Sequence, residues 1–295
     1  MTATPHTPPL KIADMSGMAD MSGIADMAAV AVCVDAKARV PPKGSLPISA
    51  VIITRNAARR ISEVLEAVEM CAERLVLDSG STDGTVELAR TAGARVEFQP
   101  FLGYGPQKRR AVELASQDWI LSLDADEVLD EEAQTACGHL DLSNPTACWS
   151  IHRRTFVGTH EMKHGTWRGE RVLRLFNRTM ASFKATPVHE EVESRQPAGY
   201  LAGSIRHYSF TDCSDLLMRS LRYAPLKATI LRAKGERAGA WMLPLRGLAA
   251  FVKSYVLRSG WRDGAIGFVV AIGRVIDSTL PRALLLADKT CDDDV

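Results

Sequence analysis

Two aspartates one residue apart, Asp124 and Asp126, follow a short apolar run in the stretch DWILSLDADEVLD. The run is too short for a typical helix and is bounded like a buried strand, so both carboxylates are expected at a strand's carboxyl end. In an open α/β sheet, ligands bind outside those ends, where two acids can meet a metal ion or a ribose. Helix capping would explain one such aspartate. A pair followed by Glu127 needs a cation or a proton to relieve its repulsion.

This motif is compatible with two enzyme classes. In sugar-nucleotide transferases an Asp-x-Asp pair holds a divalent ion on the donor pyrophosphate, and in aspartyl-phosphate phosphatases it supplies a nucleophile and a general acid. The phosphatase strand normally begins its domain, and a buried lysine and a second acidic pair must follow. The only late acidic run is CDDDV, the last stretch of the sequence, so the context disfavours a phosphatase.

Composition indicates an ordinary globular chain of one large or two smaller domains. The 295 residues are 46% hydrophobic and 24% charged, with a formal net charge of +1, so no global polyelectrolyte partner is implied. Six cysteines show neither metal-type pairing nor a regular framework, which favours a reducing compartment, by default the cytoplasm. Residues 1–46 include the repeat ADMSGMADMSGIADM and are predicted to be a disordered, low-complexity leader.

From Ser49 onward, predicted strands alternate with predicted helices, which argues for βαβ units and a mainly parallel sheet. Asp124 then falls on about the fourth strand. The predicted strands are SAVIITR, RLVLDSG, RVEFQP and WILSLDAD, and the helices between them are 58–70, 82–92 and 107–115.

A second polar cluster follows the strand that ends in LDSGSTDGT. Ser81 and Asp83 lie where the next helix opens, and capping of its free N–H groups accounts for them well. Capping explains Asp78 less well, because this carboxylate lies on the same sheet edge as the Asp124 pair. With Thr54, three strands therefore deliver polar groups to one edge, an arrangement suited to a nucleotide and its metal.

At this point the chain resembles family 2 glycosyltransferases of the GT-A fold, a Rossmann-like α/β fold with a mainly parallel sheet and flanking helices. The motifs that carry this resemblance are VIITRN, VLDSGSTDGT, GPQKRRAVELA and LSLDADE. The later motifs TWRGERVLRLF, VHEEV, IRHYSF and SGWRDGAIGF resemble one branch, the bacterial lipopolysaccharide core β-1,4-glucosyltransferase-like enzymes.

The resemblance implies nucleoside contacts from Thr54 and Asp78, a ribose or metal contact from Asp124, and a metal contact from Asp126. The implied cofactor is Mg²⁺ or Mn²⁺, acting as a Lewis acid on the pyrophosphate of a nucleoside diphosphate leaving group. The substrate-binding set that it implies also includes Asn56, Asp83, Lys108, Trp167, Arg171, Arg174 and His189.

Family 2 enzymes invert the anomeric centre, so a base must act on the acceptor hydroxyl. The candidate is Glu190, beside His189 in TPVHEEVE. Glu191 is a rival base, and His189 can be purely structural. The alternation of apolar and polar residues in this stretch is also typical of a strand whose polar face is solvated.

Two arginines before the candidate base in the sequence can be interpreted in two ways. Arg171 and Arg174 can bind acceptor phosphates or the leaving diphosphate through their forked donors, or they can be surface charges. The alternating apolar residues between them suit a strand or an extended segment as well as a helix.

Two departures from the family pattern limit what is carried over. Relatives usually have an acid after the first-strand Asn, whereas here Asn56 is followed by Ala57 and Ala58, so a ribose contact from that position is absent. Relatives also commonly have Asn where this chain has Arg109, so the geometry around Lys108, expected near the diphosphate, is altered.

The C-terminal part is strongly basic. From Arg219 to Arg262 there are ten Lys/Arg and one acid, a local charge of ten minus one, or +9. Interleaved aromatic and aliphatic residues indicate a basic amphipathic helical region for an anionic membrane surface. A solvated helix face is the alternative, and no recognisable nucleic-acid module accompanies the patch. We therefore expect a GT-A domain over residues 47–215 and a membrane-proximal helical region over residues 216–295.

The sequence-based hypothesis is an inverting, metal-dependent hexosyltransferase on the inner face of the cytoplasmic membrane. It would move a hexose, with glucose favoured, from a UDP-sugar to a glycolipid of the lipopolysaccharide inner core. The alternatives are a polyprenyl-phosphate sugar synthase of the same family and a non-catalytic nucleotide-binding protein.

Overall fold

The computed structural model describes residues 31–32, 39–183, 192–194, 196–236 and 239–292. The strands are β1 (Ala31–Val32), β2 (Leu46–Thr54), β3 (Cys71–Asp78), β4 (Arg95–Phe98), β5 (Trp119–Asp124), β6 (Glu127–Leu129), β7 (Cys148–Val157), β8 (His160–Glu161), β9 (Arg171–Asn177), β10 (Ser182–Phe183), β11 (Val192–Glu193) and β12 (Gly199–Phe210). The α-helices are α1 (Ile61–Glu66), α2 (Thr85–Thr91), α3 (Tyr104–Leu114), α4 (Glu131–Cys137), α5 (Cys213–Ala233), α6 (Met242–Phe251) and α7 (Gly264–Asp292).

One large mixed sheet organises the chain and confirms the predicted α/β class. Its order is β1-β12-β7-β9-β5-β2-β3-β4, with β6 paired to β12 and β8 to β7. The four strands predicted from alternation, β2, β3, β4 and β5, run parallel to one another. β9 is antiparallel to both of its neighbours, β5 and β7. β10 and β11 form a separate two-stranded sheet.

The core lies on both faces of the parallel strands because successive side chains of a strand point to opposite sides. On β2, Ile48, Ala50 and Ile52 pack in the same buried cluster as side chains of α1 and α4. Val51 packs in a second cluster with side chains of α3. The near-continuous apolar strands that marked the sequence are therefore the strands covered by helices on both sides.

The predicted helix boundaries differ from those observed by up to four residues, and α1 and α2 each begin three residues later than predicted. α1 ends at Glu66, short of the predicted Met70, and turns over residues 67–70 lead directly into β3. α3 begins at Tyr104, three residues before the predicted start. Gly103 at φ 98° turns the chain there, and Pro106 is tolerated in the first turn, where no intrahelical N–H bond is required.

The C-terminal helices follow β12. The predicted boundary between residues 215 and 216 falls within α5, which begins at Cys213. After α6 come a π-helical segment, Val252–Leu257, and a 3₁₀ turn, Gly260–Asp263, that leads into α7. Within the described residues, no helix combines the length and the apolarity needed to cross a membrane.

Candidate active site

The register of the sheet brings the predicted polar residues to one edge. Thr54 of β2 is paired with Asp78 of β3, and Ile53 is paired with Asp124 of β5. Because these strands are parallel and end together, the three polar side chains share the carboxyl edge, as the sequence predicts.

A cleft of about 560 Å³ opens at this edge. Its lining includes Thr54, Asp124 and Asp126, which the sequence singles out. Basic, aromatic and imidazole groups complete it, contributed by Arg55, Arg59, Phe101, Tyr104, His207 and Arg219. The cleft therefore combines carboxylates with several cationic groups, a surface able to hold an anionic ligand together with a cation.

Asp124 is held by two ion pairs. Its Oδ1 lies 2.7 Å from Nζ of Lys108, and its Oδ2 accepts from a guanidinium nitrogen of Arg174 at 3.0 Å. Burial alone would raise the pKa of Asp124, but the two cations outweigh it and hold this pKa well below its usual range. Both of its oxygens are thus compensated by protein charges.

Glu127 lies behind the aspartate pair and is completely buried. It accepts from Arg174 at 2.6 Å, from Arg153 at 3.4 Å and from the backbone N–H of Asp124 at 3.2 Å. Burial raises the pKa of Glu127, whereas its ion pair with Arg174 lowers it, and the net result is a lowered pKa. Glu127 therefore anchors the backbone that carries the two aspartates.

Asp126 differs from Asp124 in its surroundings. Its side chain is 38% exposed in the cleft, and its Oδ2 lies 3.6 Å from Nε2 of His207 on β12. The backbone carbonyl of Asp126 accepts from the N–H of Tyr208, which fixes the loop against β12. Asp126 is thus the acid of the pair that faces the cleft and makes no ion pair with a Lys or Arg in the described part of the chain.

Thr54 and Asp78 have contrasting environments. Thr54 is 5% exposed, and its Oγ1 has no hydrogen-bond partner among the described residues although it borders the cleft. Asp78 is also buried, but it accepts from the backbone N–H groups of Gly80 and Ser81 and from the Ser81 hydroxyl. Asp78 therefore holds the loop that follows β3 and does not cap α2, which begins at Thr85.

The loops after β2 and β3 are joined by side-chain bonds. Asn56, at φ 54°, accepts from the N–H of Thr82 through its side chain, and its own N–H donates to Ser81. Asp83 accepts from the N–H of Ala58 and from both the N–H and the hydroxyl of Thr85. Asp83 is thus a loop-bridging residue, and Asn56 also lines the cleft.

Four further predicted residues lie away from the cleft lining. Lys108 and Arg174 are buried beside Asp124 and act on it, not on the open cleft. Arg171 is exposed, and its guanidinium lies over the ring of Tyr200 at 4.3 Å. Trp167 packs on Phe210, with ring centroids 5.6 Å apart, so that Phe210 separates it from the cleft.

Glu190, its rival Glu191 and the neighbouring His189 all lie outside the residues that the structure describes. The roles predicted for them stay predictions.

Sequence reasoning missed His207, Phe101 and Tyr104. His207 lies within the motif IRHYSF, which the sequence analysis already quotes. Nothing in the local sequence indicated which side chain of that strand would face Asp126. Phe101 and Tyr104 form an edge-to-face pair 5.1 Å apart at the cleft, in a segment without a catalytic motif.

Comparison with known proteins identifies the family. The family model described as Glycosyl transferase family 2 matches residues 49–196. The lipopolysaccharide core biosynthesis glycosyltransferase LpsC of Rhizobium meliloti (strain 1021) is 30% identical over 246 residues, which cover 81% of this chain and 91% of LpsC. An uncharacterized glycosyltransferase of Rickettsia felis is 32% identical over 236 residues, 75% of this chain and 83% of that protein.

Among solved structures, the chain is similar to glucosyl-3-phosphoglycerate synthase from Mycobacterium tuberculosis in complex with Mg²⁺ and UDP. The identity is 26%, the TM-score is 0.30, and the likeness covers 37% of this chain and 43% of that one. The family assignment rests on the family model and on the long alignment with LpsC, and not on this structural likeness. The chain belongs to glycosyl transferase family 2.

Proposed function

We propose that this glycosyltransferase moves a hexose, with glucose favoured, from a UDP-sugar to a glycolipid acceptor of the lipopolysaccharide inner core. The observation that carries the proposal is the pairing of Asp126 with His207 in the cleft, next to an Asp124 already neutralised by Lys108 and Arg174. The name of LpsC, aligned over most of both chains, supports the acceptor class. Such an acceptor is held in a membrane, so we place the enzyme at the inner face of the cytoplasmic membrane.

Asp126 and His207 are the residues that would hold a divalent cation. Two ligands at about 2.1 Å from one ion can be at most about 4.2 Å apart, and these two atoms are 3.6 Å apart. Among the described residues, no cluster of three or more His, Cys, Asp or Glu forms a complete protein site. Mg²⁺ and similar ions commonly take their remaining ligands from substrate phosphates and water. When bound, the ion would neutralise charge on the departing diphosphate.

The remaining groups have separate tasks. The carboxylate of Asp124 is fixed by its ion pairs and can accept from a ribose hydroxyl without reorganising. The hydroxyl of Thr54 is buried without a partner among the described residues, and Thr54 lines the cleft, so we assign it to the nucleoside. Phe101 and Tyr104 offer aromatic faces for a base, and such stacking contributes about 1–3 kcal/mol. Inversion further requires a base on the acceptor hydroxyl, for which Glu190 remains the proposal.

The basic residues suit the anionic leaving group. Arg55 and Arg59 lie on the loop after β2 and line the cleft. Arginine presents a fork of donors that matches phosphate oxygens, so both are placed to hold a diphosphate as its charge grows. With the charge of Asp124 compensated internally, the cleft does not repel such a ligand.

The test is nucleoside-diphosphate release from a panel of UDP- and GDP-sugars with Mn²⁺ or Mg²⁺. Each reaction is run alone, with a heptose-containing core lipid, and with a polyprenyl phosphate. The variant is Asp126→Asn, and the matched control is Asp118→Asn. Asp118 precedes the same strand at its opposite end, is 60% exposed and bonds only Arg178 among the described residues.

The proposal predicts metal-dependent release from one UDP-sugar, stimulated by the core lipid. Asp126→Asn should lower the rate by at least about a hundredfold, on the scale of a lost transition-state contact, and Asp118→Asn should retain it. Stimulation by the polyprenyl phosphate alone would replace the proposed acceptor. Absence of release from every donor by folded protein would overturn the proposed reaction.

A further inference from the structure

The exposed apolar side chains are concentrated in one part of the molecule. Of the 16 large hydrophobic side chains that are exposed in the described residues, seven lie between Trp241 and Phe268. They are Trp241, Leu245, Leu248, Val256, Leu257, Trp261 and Phe268. Leu257 is 74% exposed and Trp241 is 72% exposed, so these are not partly covered core residues. A concentration of this kind on a folded protein marks an interaction surface.

The orientation of α6 explains the exposure. Its buried position is Gly247, where an added Cβ would lie 3.2 Å from Thr279 and 3.4 Å from Val275 of α7. The small residue lets α6 approach α7 closely. The large residues Leu245 and Leu248 lie on the exposed side. A typical amphipathic helix of a globular domain instead buries its large apolar residues in the core of that domain.

The following segment holds the exposed residues in place. In the π-helical segment Val252–Leu257, Tyr255 lies 5.2 Å from the ring of Phe251 and 5.8 Å from that of Phe268 on α7. These contacts fix the segment against α7 while Val256 and Leu257 remain exposed. We call the six residues Trp241, Leu245, Leu248, Val256, Leu257 and Trp261 the apolar ridge.

The charged residues within the segment that carries the ridge are all basic. Between Trp241 and Arg262 the chain contains four basic residues and no Asp or Glu. Lys253 and Arg262 are exposed, and neither has an acidic partner in the described part of the chain. Arg246 lies 3.9 Å from Glu236, at the limit of an ion pair.

We propose that the apolar ridge docks onto the surface of an anionic phospholipid bilayer. Large apolar residues, a tryptophan at each end and basic residues without acids are the features of a helix lying in the interfacial plane. A second copy of the chain is a poorer occupant, because an isologous contact would bring the same positive charges together. Docking onto lipid uses no residue of the cleft and does not depend on the proposed reaction.

A groove beside the ridge strengthens this inference. Leu243, Pro244, Gly247 and Phe251 of α6 and Val275 and Thr279 of α7 line a shallow, almost wholly apolar groove of about 460 Å³. Leu248 of the ridge also borders it, so apolar surface continues from the ridge into the groove. Lipid chains match such a lining, which offers almost no polar group to a peptide.

The ridge is tied to the catalytic part of the chain. The N–H of Gly165 donates to the carbonyl of Arg258 at 2.9 Å, and His164 makes two 2.9 Å contacts with the buried carboxylate of Asp263. Docking would therefore fix the segment before β9 relative to the bilayer, and with it the sheet that carries the cleft.

The experiment is sedimentation of the full chain with vesicles of phosphatidylcholine, with and without phosphatidylglycerol, at low and high salt. One variant removes ridge apolar surface, Leu248→Gln with Leu257→Gln. A second removes charge, Lys253→Gln with Arg262→Gln. The matched controls are Phe98→Gln, which removes an exposed apolar side chain on β4, and Arg90→Gln, which removes an exposed charge on α2. Circular dichroism checks that each variant is folded.

Wild type should sediment with the anionic vesicles, and less so at high salt. The apolar double variant should weaken the partition by at least about tenfold, and the charge variant by about tenfold, on anionic vesicles only. The two controls should bind as wild type does. Absence of wild-type binding, or equal loss in the controls, would overturn the proposal. A self-association removed by Leu248→Gln with Leu257→Gln, without vesicle binding, would assign the ridge to a second copy instead.

Discussion

The ammonium nitrogen of Lys108 lies 2.7 Å from Oδ1 of Asp124, although the Lys108 side chain is only 1% exposed. A lysine is rarely buried unless it is paired. Its partner is the first aspartate of the motif, so the pairing sets the charge of the site before any ligand arrives.

Replacement of Lys108 by Met should destabilise the fold. The substitution keeps the volume but leaves the Asp124 charge short of one cation, and breaking a buried ion pair costs about 3 kcal/mol. Urea unfolding measures the change. The control is Lys43→Met, which breaks an exposed pair with Glu69 and should cost less than about 1 kcal/mol. Equal costs at the two positions would show that the Lys108 pair is not effectively buried.

Replacement of Thr54 by Val tests the orphaned hydroxyl. Because Oγ1 has no partner among the described residues, stability should be unchanged or improved. If the sugar-nucleotide donor supplies the missing hydrogen-bond partner, the KM for that substrate should rise by about two- to tenfold in the variant. This is the equivalent of one net hydrogen bond. Thr155→Val is the matched control, since that hydroxyl is equally buried and unpaired but lies outside the cleft lining. A KM unchanged by Thr54→Val would remove this contact from the donor site.

Replacement of His207 by Asn should weaken the response to metal. Loss of groups that only support a metal ligand already costs about ten- to a hundredfold in affinity, so loss of a ligand should cost at least tenfold. Calorimetric titration of Mn²⁺ in the presence of UDP measures binding directly, and activity against Mn²⁺ concentration provides a second readout. His160→Asn, at an exposed position on β8, should change neither. Identical Mn²⁺ titrations for wild type and His207→Asn would contradict the proposed ligand.

Stability should fall in acid. The folded-state pKa values of Asp124 and Glu127 are lowered because their ion pairs outweigh the effect of burial. In the unfolded chain these groups have pKa values of about 3.9 and 4.3. Their contribution is therefore fully present at neutral pH and is lost as the pH falls below about 4.5, where the unfolded state binds more protons.

Urea midpoints measured between pH 7 and pH 3.5 test this dependence. Asp124→Asn should be less stable at neutral pH yet lose less stability on acidification, because one titrating group is gone. Asp118→Asn, at an exposed site, should keep the wild-type slope. An Asp124→Asn slope equal to that of wild type would show that this carboxylate does not carry the effect.

Gly203 is predicted to be intolerant of any side chain. It lies at φ 83° where the register of β12 with β7 shifts, and an added Cβ would overlap the backbone of Ala133 at the start of α4. Gly203→Ala should therefore cost more than about 3 kcal/mol, from strain and overlap together. Gly44→Ala has a similar positive φ with open space around it and should cost only about 1–2 kcal/mol. Similar unfolding midpoints for the two variants would contradict the tight contact.

Several features were determined by the sequence alone. The apolar runs that end at Asp78 and Asp124 are strands, and both aspartates lie at the carboxyl edge. These outcomes follow from local patterns, because strand length, the alternation of elements and polar residues at strand ends are all encoded over a few residues. The same locality made α1 and α3 recognisable, but their observed ends differ from the predicted ones by up to four residues.

Only the tertiary structure decided how the charges of the site are shared. Arg174 reaches Asp124 because β9 runs antiparallel beside β5, 50 residues away in sequence. His207 faces Asp126 because β12 pairs with β6, where His207 lies opposite Glu127. Strand order is a non-local property, so no spacing in the sequence indicated that Asp124 would be neutralised and Asp126 left open. The sequence named both acids of the motif, and the fold assigned them different environments.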